Sequence, residues 1–295
     1  NGTNPRSHDS IEPPPEGFVD EVLTFLPLCH IAERGVSGFG PLVSGTIINF
    51  AESMATVPQD IREISPPLYF AVPRIWEKFY STLMLQMKDS TPLEKAAFNY
   101  CQKLGQKIAA YRIKNEQAPI WLKLAFSLAN QTILKNFKKS IGLDRVRYCL
   151  SGAAPISPDL LQFYYGLGID MREVYGQTES SGMATVHYKG RTKFGTVGEA
   201  APGVEVKIAD DGEILIKGDL VFMGYYKNQE KTDETIIDGW LYTGDVGKID
   251  EDGHVIISDR KKDVIITAGG KNITPSEIEN QLKFSPYIND AVVIG

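Results

Sequence analysis

Apolar residues recur at intervals of three to five through residues 75–139, close to the period of an amphipathic helix. The recurring positions are Ile75, Phe79, Leu83, Met87, Leu124, Leu128 and Ile133. They predict three helices, over residues 75–87, 92–114 and 121–137, and each apolar series is expected to pack inward. The three tryptophans of the chain are expected to be packing residues as well: Trp76, Trp121 and Trp240.

Strand and helix signals alternate between residues 147 and 174, which is typical of a layered α/β domain. A strand is predicted over 147–150, a helix over 157–166 and a second strand over 169–174. Earlier elements are predicted as strands over 22–28, 45–50 and 68–72 and a glycine-interrupted helix over 31–45. The fold class is therefore α/β, a layered large domain with a helical insertion at about 75–139.

Short antiparallel strands are predicted from residue 195 onward. Two hairpins flank Asp-Gly turns, 204–209 with 213–217 and 246–250 with 254–258. Residues 218–226 are predicted to be extended. The charged run Asp259-Arg-Lys-Lys-Asp263 separates two predicted strands and is predicted to be a linker or hinge. Thr274, Pro275 and Glu277 predict the start of a helix, which a strand over 288–294 follows.

These patterns predict two domains. Residues 1–258 form the C-terminal portion of a large domain, and its small β subdomain covers about 195–258. Residues 259–295 form a hinge and the start of a small α+β C-terminal domain. Because the sequence stops inside a predicted strand, we expect it to be an internal piece of a longer protein.

Composition narrows the function classes. The net charge of −6 disfavours a nucleic-acid-binding protein, which normally carries a basic face. The widely spaced Cys29, Cys101 and Cys149 are expected to be buried or inert thiols in a reducing, cytoplasmic compartment. No apolar run approaches the roughly 18 residues of a membrane span. Peripheral membrane contact stays open, although we find no basic amphipathic helix that demonstrates it.

Two polar turns after predicted strands carry candidate chemistry. In Ser151-Gly-Ala-Ala-Pro155, small residues before a helix let backbone N–H groups approach a phosphate. In Tyr175-Gly-Gln-Thr-Glu179, a ring that can stack on a base stands beside a hydroxyl for a phosphate oxygen and a carboxylate for Mg²⁺. An ordinary strand-to-loop turn with a solvated glutamate is the alternative.

Further landmarks complete an ordered set. After Ser151–Pro155 and Tyr175–Glu179 come Tyr242-Thr-Gly-Asp245, Asp259-Arg-Lys-Lys-Asp263 and Gly269-Gly-Lys-Asn-Ile273. The whole set resembles the adenylate-forming (acyl-activating) enzymes. The front part, with Leu26-Pro-Leu-Cys-His-Ile-Ala-Glu-Arg34 and Val72-Pro-Arg-Ile-Trp-Glu77, is most similar to the long-chain fatty acyl-CoA synthetases (AMP-forming) of that superfamily.

This resemblance implies a role for each matching residue. The residues that would line the nucleotide site are Gly152, Ala153, Ala154, Tyr175 and Gly176. Tyr175 would pack on the adenine, and Thr178 would bond the α-phosphate. Asp245 and Arg260 would bond the ribose. Glu179 would hold Mg²⁺, Lys262 or its neighbour Lys261 would stand near the nucleotide, and His30 would sit at the acyl-pocket wall. Asp259 would be the hinge between two half-reactions, and Gly269 and Gly270 would lie where the pantetheine arm enters.

The implied activity is that of a long-chain-fatty-acid–CoA ligase using ATP, Mg²⁺ and coenzyme A, through an acyl-adenylate. Two parts of the family pattern are not found. No Ser/Thr/Gly-rich phosphate loop with a lysine occurs between Asn1 and Val22, and the lysine near the far end of the small domain would fall beyond Gly295. Where some relatives have a lysine after the hinge motif, this chain has Ile266. We therefore expect the chain alone to be inactive or very weak.

Other functions are weighed against this one. A medium-chain or aryl carboxylate–CoA ligase is the nearest alternative, although the long helical insertion favours long acyl chains. A non-catalytic adenylate- or acyl-binding remnant is the second, because of the two absent segments. A dinucleotide-binding dehydrogenase is disfavoured, since no Gly-x-Gly-x-x-Gly opens a helix after a strand.

Overall fold

The structure, a computed structural model, describes residues 15–16, 18–114, 116–263, 265–266, 272–283, 285, 287–288 and 291–294. These residues form two compact units. We call them the helical unit, which contains the described residues up to Arg172 together with 190–194, and the β unit, which contains 173–189 and those from 195 onward. The predicted domain boundary at Asp259 lies within the β unit and stays a prediction.

The helical unit places two parallel strand pairs among helices. Its strands are β1 (Glu21–Thr24), β2 (Ile47–Phe50), β3 (Leu68–Ala71) and β4 (Tyr148–Ser151). Its helices are α1 (Ile31–Glu33), α2 (Gly40–Ser44), α3 (Val57–Ile64), α4 (Pro73–Asp89), α5 (Pro92–Ile113), α6 (Ile120–Ala129), α7 (Lys135–Ser140) and α8 (Pro158–Gly166). Strand β1 pairs with β2 and β3 pairs with β4. π-helical turns over Arg34–Phe39 and Asn130–Leu134 join α1 to α2 and α6 to α7.

The predicted helical block is confirmed, and its starts follow from local chemistry. Both α4 and α5 begin at a proline, whose missing N–H costs nothing in the first turn. Thr91 and Glu94 form a capping box at the start of α5. Helix α5 packs closely on α8 at Gly105, where a Cβ atom would overlap the carbonyl of Gly166. The lack of a side chain at Gly105 permits this close approach.

The predicted inward face of the third helix is wrong. Leu124 and Leu128 are exposed, and so is Trp121, whereas the buried side chains are Leu122, Phe126, Ala129 and Leu134. The segment is apolar on both sides of the helix, so a spacing of four does not decide which side packs. The π-helical turn after Ala129 adds a residue to one turn and moves Leu134 onto the packed side.

Trp76 lies at the centre of an aromatic cluster in the helical unit. Its side chain is fully buried and makes edge contacts with the rings of Tyr69 and Tyr164. The indole Nε1–H donates to the backbone oxygen of Ala71 over 3.1 Å, and the Tyr164 hydroxyl donates to the backbone oxygen of Trp76 over 2.6 Å. The packing prediction for Trp76 is therefore confirmed.

The β unit is built mainly from antiparallel strands. The strands are β5 (Met171–Tyr175), β6 (Thr185–Val186), β7 (Glu199–Ala200), β8 (Glu205–Ile208), β9 (Glu213–Lys217), β10 (Ile236–Ile237), β11 (Trp240–Ile249), β12 (Val255–Arg260), β13 (Ile265–Ile266) and β14 (Asn272–Ile273). Its helices are α9 (Gln229–Thr235) and α10 (Pro275–Lys283). The chain passes from the helical unit into the β unit within β5.

Both predicted hairpins of the β unit are confirmed. Strand β8 pairs with β9, and β11 pairs with β12. The strand order of this sheet is β10-β11-β9-β8, and β12 pairs with the later residues of β11 on the same edge as β10. Its core contains alternating inward residues of these strands: Ile214, Ile216, Leu241 and Val255, with Tyr175 and Ala184 against them. Strand β6 of this unit also pairs antiparallel with β5 and with β7.

Four local predictions need correction. Helices α3 and α9 were not predicted, because both are short and polar; Asn228 caps α9 by accepting from the N–H of Lys231. The stretch 218–226 forms turns instead of an extended segment. Asp259 and Arg260 belong to β12, because Arg260 pairs with Asp245 in the ladder, so only residues 261–263 form the charged turn. The predicted strand 288–294 lies partly outside the described residues, and residues 291–294 are not a strand.

Glu173 supplies a test of the β-unit core. Its carboxyl is buried, its Oε2 has no hydrogen-bond partner among the described residues, and desolvation raises its pKa well above the ordinary value. The folded state therefore keeps a proton that the unfolded state releases above about pH 4.5, so stability falls as pH rises. We expect Glu173→Gln to remove this fall, which for the native protein is at most about 1.4 kcal/mol per pH unit.

Urea unfolding of both proteins at pH 5.0 and 7.5, followed by circular dichroism, measures this difference. The native protein should lose stability relative to the variant between the two pH values. Glu205→Gln is the control, since Glu205 is an exposed carboxylate on β8. Parallel pH dependences for native protein and Glu173→Gln would contradict the prediction.

Candidate active site

The turn after β5 is held in one tight conformation. Gly176 faces the backbone of Gly182, and an added Cβ atom would lie 2.6 Å from the Gly182 carbonyl carbon. The N–H of Gln177 donates to Ser180 Oγ over 2.8 Å, and the N–H of Gly182 donates to the Gln177 carbonyl over 2.9 Å. Thr178 starts a single 3-10 turn and is exposed, so its hydroxyl is available to a ligand.

The carboxylate of Asp245 is the centre of the site. Its Oδ2 accepts from the Tyr175 hydroxyl over 2.7 Å and from Gln177 Nε2 over 2.9 Å. Its Oδ1 lies 2.9 Å from Nε of Arg260. The Asp245 residue is only 5% exposed, so these contacts act where solvent screening is weak. Three residues predicted for the nucleotide, Tyr175, Asp245 and Arg260, are thus brought together.

The protonation of Tyr175 suits this arrangement. Burial, followed by the nearby Asp245 carboxylate, raises the pKa of the Tyr175 hydroxyl. The hydroxyl therefore stays protonated and donates to the carboxylate. The predicted packing of the Tyr175 ring on adenine stays a prediction.

Strand β11 is irregular where it presents Asp245. The ladder with β9 shifts register between Tyr242 and Val246. Thr243 Oγ1 donates to the Ile214 carbonyl over 2.7 Å and accepts from the N–H of Asp245 over 3.1 Å. Such an irregularity re-aims a side chain, and here it accompanies the turn of Asp245 towards Tyr175.

Glu179 has one oxygen engaged. The Tyr225 hydroxyl donates to Glu179 Oε1 over 2.8 Å, and the Glu179 carbonyl accepts from the N–H of Phe222 over 2.8 Å. The residue is half-buried. A fixed carboxylate with a second oxygen fits the oxygen ligands that Mg²⁺ prefers. No group of three or more His, Cys, Asp or Glu side chains suited to a metal occurs among the described residues. Mg²⁺ is commonly bound by one or two carboxylates together with waters and substrate phosphates, and a single carboxylate such as that of Glu179 is compatible with this kind of site.

The predicted hinge residue Asp259 caps a helix. Its Oδ1 accepts from the Ser276 hydroxyl over 2.9 Å and its Oδ2 accepts from the Ser276 N–H over 3.2 Å, in the first turn of α10. The carboxylate therefore links β12 to that helix. Whether Asp259 serves as a hinge stays a prediction.

The two candidate lysines differ. Lys261 Nζ contacts Asp211 Oδ2 at 2.7 Å and Glu213 Oε2 at 2.9 Å. These hydrogen bonds, that to Asp211 first, raise the pKa of Lys261. Lys262 is exposed in the same turn. Lys261 thus has a structural role within the β unit, which leaves Lys262 as the lysine proposed for the nucleotide.

The remaining predicted residues are in the helical unit or outside the described residues. His30 is half-buried, and its Nδ1 accepts from the Ala32 N–H over 3.2 Å as the N-cap of α1. Gly152 is buried, while Ala153 and Ala154 are exposed. Gly269 and Gly270 lie outside the described residues.

The Ser151–Ala154 turn has two features typical of ligand-binding loops. Ala153 has φ of +68°, a conformation that L residues other than glycine rarely adopt and that concentrates at functional sites. The buried Ser151 Oγ has no hydrogen-bond partner among the described residues. Both observations favour the predicted binding role of this turn over plain packing.

Two residues of the site were missed. Gln177 donates both to Asp245 and, over 2.7 Å, to the Thr243 carbonyl. Tyr225 orients Glu179 from a stretch predicted only as extended. Gln177 stands inside the Tyr-Gly-x-Thr-Glu motif, so its position was a usable signal. Nothing in the sequence pattern around Tyr225 marks it.

The chain is a layered α/β protein, and the carboxylate-centred turn is its candidate site. The sequence profile described as "AMP-binding enzyme" matches residues 6–226. The chain belongs to the AMP-binding enzyme family. The resemblance to adenylate-forming enzymes is therefore confirmed.

Curated relatives agree with this family. Long-chain-fatty-acid–CoA ligase FadD15 of Mycobacterium bovis is 34% identical over 288 residues, which cover 94% of this chain and 45% of the relative. Long-chain-fatty-acid–CoA ligase ACSBG2 of Gallus gallus is 36% identical over 285 residues, 93% of this chain and 37% of the relative. The chain thus spans less than half the length of these relatives.

Solved structures confirm the fold class. The adenylation domain of a carboxylate reductase from Mycobacterium chelonae has a TM-score of 0.68 and 22% identity, over 92% of this chain and 39% of that one. O-succinylbenzoate coenzyme A synthetase (MenE) from Bacillus subtilis was solved with ATP and a magnesium ion. It has a TM-score of 0.60 and 22% identity, over 90% of this chain and 47% of that one. Within the described part of the chain, no helix is long and apolar enough to cross a membrane.

Proposed function

We propose that this chain carries the nucleotide-binding part of a long-chain-fatty-acid–CoA ligase that forms an acyl-adenylate. The observation that carries the proposal is the Asp245 carboxylate, which Tyr175, Gln177 and Arg260 hold in a fixed position. A carboxylate accepts hydrogen bonds only, and its two oxygens offer about four acceptor positions, so about one position beside these three donors is left for a ribose hydroxyl. The names of the curated relatives support the ligase activity.

The proposed reaction has two steps. A carboxylate oxygen of the fatty acid attacks the α-phosphorus of ATP, and pyrophosphate leaves. The thiolate of coenzyme A then attacks the carbonyl carbon of the acyl-adenylate, and AMP leaves, with the thiol proton passing to solvent. Charge gathers on the phosphate oxygens in the first step, so hydrogen-bond donors and a cation stabilise its transition state.

Each site residue has a separate role in the proposed reaction. Asp245 and Arg260 hold the ribose, and Tyr175 borders the adenine. The exposed Thr178 hydroxyl donates to the α-phosphate. Glu179 holds Mg²⁺, which supplies positive charge to the phosphates when bound. His30 borders the acyl chain, and coenzyme A enters beside residues 269–270.

Acyl length separates this proposal from its alternatives. Thermal unfolding is measured with non-hydrolysable acyl-adenylate analogues of short, medium and long acyl chains. A ligand at a hundred times its Kd adds about 2.7 kcal/mol of stability. Stabilisation that grows with acyl length supports the long-chain ligase, and a maximum at a medium or aryl acid supports the other carboxylate ligases. No stabilisation by any analogue of a cooperatively folded sample would overturn the proposal.

Glu179→Gln tests the metal role. The substitution keeps the shape and an acceptor for Tyr225 but removes the negative charge. We expect Mg²⁺ to tighten ATP binding to the native chain and to have at least about tenfold less effect on the variant. Isothermal titration with and without Mg²⁺ measures this, with Glu205→Gln as the exposed control. An unchanged Mg²⁺ effect in Glu179→Gln would remove Glu179 from the metal site.

A further inference from the structure

Helix α6 has an apolar face that none of the described residues covers. Ile120 is 75% exposed, Trp121 64%, Leu124 67% and Leu128 66%. Ile120, Leu124 and Leu128 are spaced by four and form one stripe along the helix, with Trp121 beside it. We call these four residues the α6 face. The opposite side of the same helix, with Leu122 and Phe126, packs into the helical unit.

Exposure of this kind is costly in water, because large apolar side chains remain hydrated. A single exposed leucine is ordinary, whereas a contiguous stripe with a tryptophan is typical of an interaction surface. The stripe is therefore expected to bind a partner, and the charges of the neighbouring side chains indicate the chemistry of that partner.

The segment that carries the α6 face is strongly basic. Residues 117–143 contain no aspartate or glutamate and four lysines, in a chain whose net charge is −6. Lys123, Lys135 and Lys139 are exposed. The fourth, Lys138, is buried and donates to Asn130 Oδ1 over 2.7 Å. Three exposed lysines thus accompany the apolar stripe, and residues 117–143 offer no carboxylate to pair with them.

We infer that the α6 face lies on an anionic lipid surface. An apolar stripe with tryptophan inserts at the boundary of headgroups and acyl chains, while lysines beside it attract anionic headgroups. The indole ring has an apolar body and one N–H donor, which suits that boundary. A second copy of the chain fits less well, because a twofold contact through this face would bring like-charged lysines together.

This inference stands on the helical unit alone and does not depend on the nucleotide site. It specifies the peripheral membrane contact that the sequence left open. The sequence pattern predicted this helix but placed Leu124 and Leu128 on its packed side, because a segment that is apolar on both sides shows little amphipathic contrast.

Vesicle binding tests the inference on the 295-residue chain. Co-sedimentation is measured with phosphatidylcholine vesicles and with vesicles containing 30% phosphatidylglycerol. We expect binding to the anionic vesicles that weakens at high salt, with a blue shift of the fluorescence of Trp121. Trp76 is fully buried and Trp240 half-buried, so Trp121 is the tryptophan best placed to report the contact.

Three variants separate the possible origins of binding. Leu124→Gln with Leu128→Gln should reduce the partition coefficient at least fivefold. The matched control, Leu42→Gln with Val43→Gln, changes two exposed apolar residues of α2 and should leave it unchanged. Lys123→Gln with Lys135→Gln and Lys139→Gln should remove the preference for anionic vesicles.

Three results would overturn the inference. One is the absence of binding to either vesicle by a folded sample. Another is equal loss of binding in the α6 and α2 double variants, which would show unspecific adsorption. The third is a dimer in light scattering that Leu124→Gln with Leu128→Gln dissociates, without vesicle binding, which would assign the α6 face to a second copy.

Discussion

Asp245→Asn should weaken binding of a long-chain acyl-adenylate analogue at least about 100-fold, the largest effect expected of any single substitution in the candidate site. The change conserves size and removes one negative charge. It also replaces one acceptor oxygen with an NH₂ group. Because Tyr175 and Gln177 donate to Oδ2 and Arg260 donates to Oδ1, either orientation of the new amide places a donor against a donor.

Two losses add in this variant. A hydrogen bond to a charged group contributes about 1.5–3 kcal/mol, so losing the charged acceptor for a ribose hydroxyl alone approaches the predicted size. The donors left facing the amide then shift, and the position of the side chain is no longer fixed. Both effects lower the affinity for the bound nucleotide.

Isothermal titration measures the affinity, and circular dichroism shows that the variant is folded. Asp210→Asn is the matched control, because Asp210 is an exposed carboxylate in the turn between β8 and β9. Its affinity should stay within about twofold of the native value. Equal affinities of Asp245→Asn and Asp210→Asn for the analogue would show that Asp245 does not bind the nucleotide.

The sequence predicted the centre of the candidate site because that site depends on short motifs. Tyr175 ends a buried strand and Asp245 ends a Tyr-Thr-Gly-Asp motif, and both short motifs predict site residues that the structure brings into contact. Gln177 stands inside the same motif as Tyr175 and could have been predicted from it, whereas the role of Tyr225 exists only once distant parts of the chain meet. Tyr225 meets Glu179 across 46 residues of sequence, and no local pattern encodes such a contact.

The fold was predictable where periodicity and turn chemistry agree. Helices α4 and α5 have a proline start and a regular apolar spacing, and the β8–β9 hairpin has an Asp-Gly turn. Periodicity failed for α6, where both sides are apolar and packing alone selects the buried side. It failed also at Asp259, since a buried carboxylate in a strand needs hydrogen-bond donors, and here the Ser276 hydroxyl and N–H donate to it from a distant part of the sequence.

Trp76→Ala should cost about 3–5 kcal/mol of unfolding free energy, the largest stability effect expected in the helical unit. The substitution empties the space between the rings of Tyr69 and Tyr164 and removes the donor to the Ala71 carbonyl. Aromatic rings around the site cannot collapse into it without leaving their rotamers, so the cavity persists. The Tyr164 hydroxyl bond is kept, because it is made to a backbone oxygen.

Trp121→Ala is the matched control, because it removes the same side chain from an exposed position of the same unit. Its unfolding free energy should stay within about 0.5 kcal/mol of the native value. Urea unfolding followed by circular dichroism compares the two without relying on tryptophan fluorescence. The sequence alone treats both tryptophans as packing residues, so equal losses would contradict the buried and exposed faces described above. A large loss for Trp76→Ala alone would instead show that the aromatic cluster, and not tryptophan content, stabilises the helical unit.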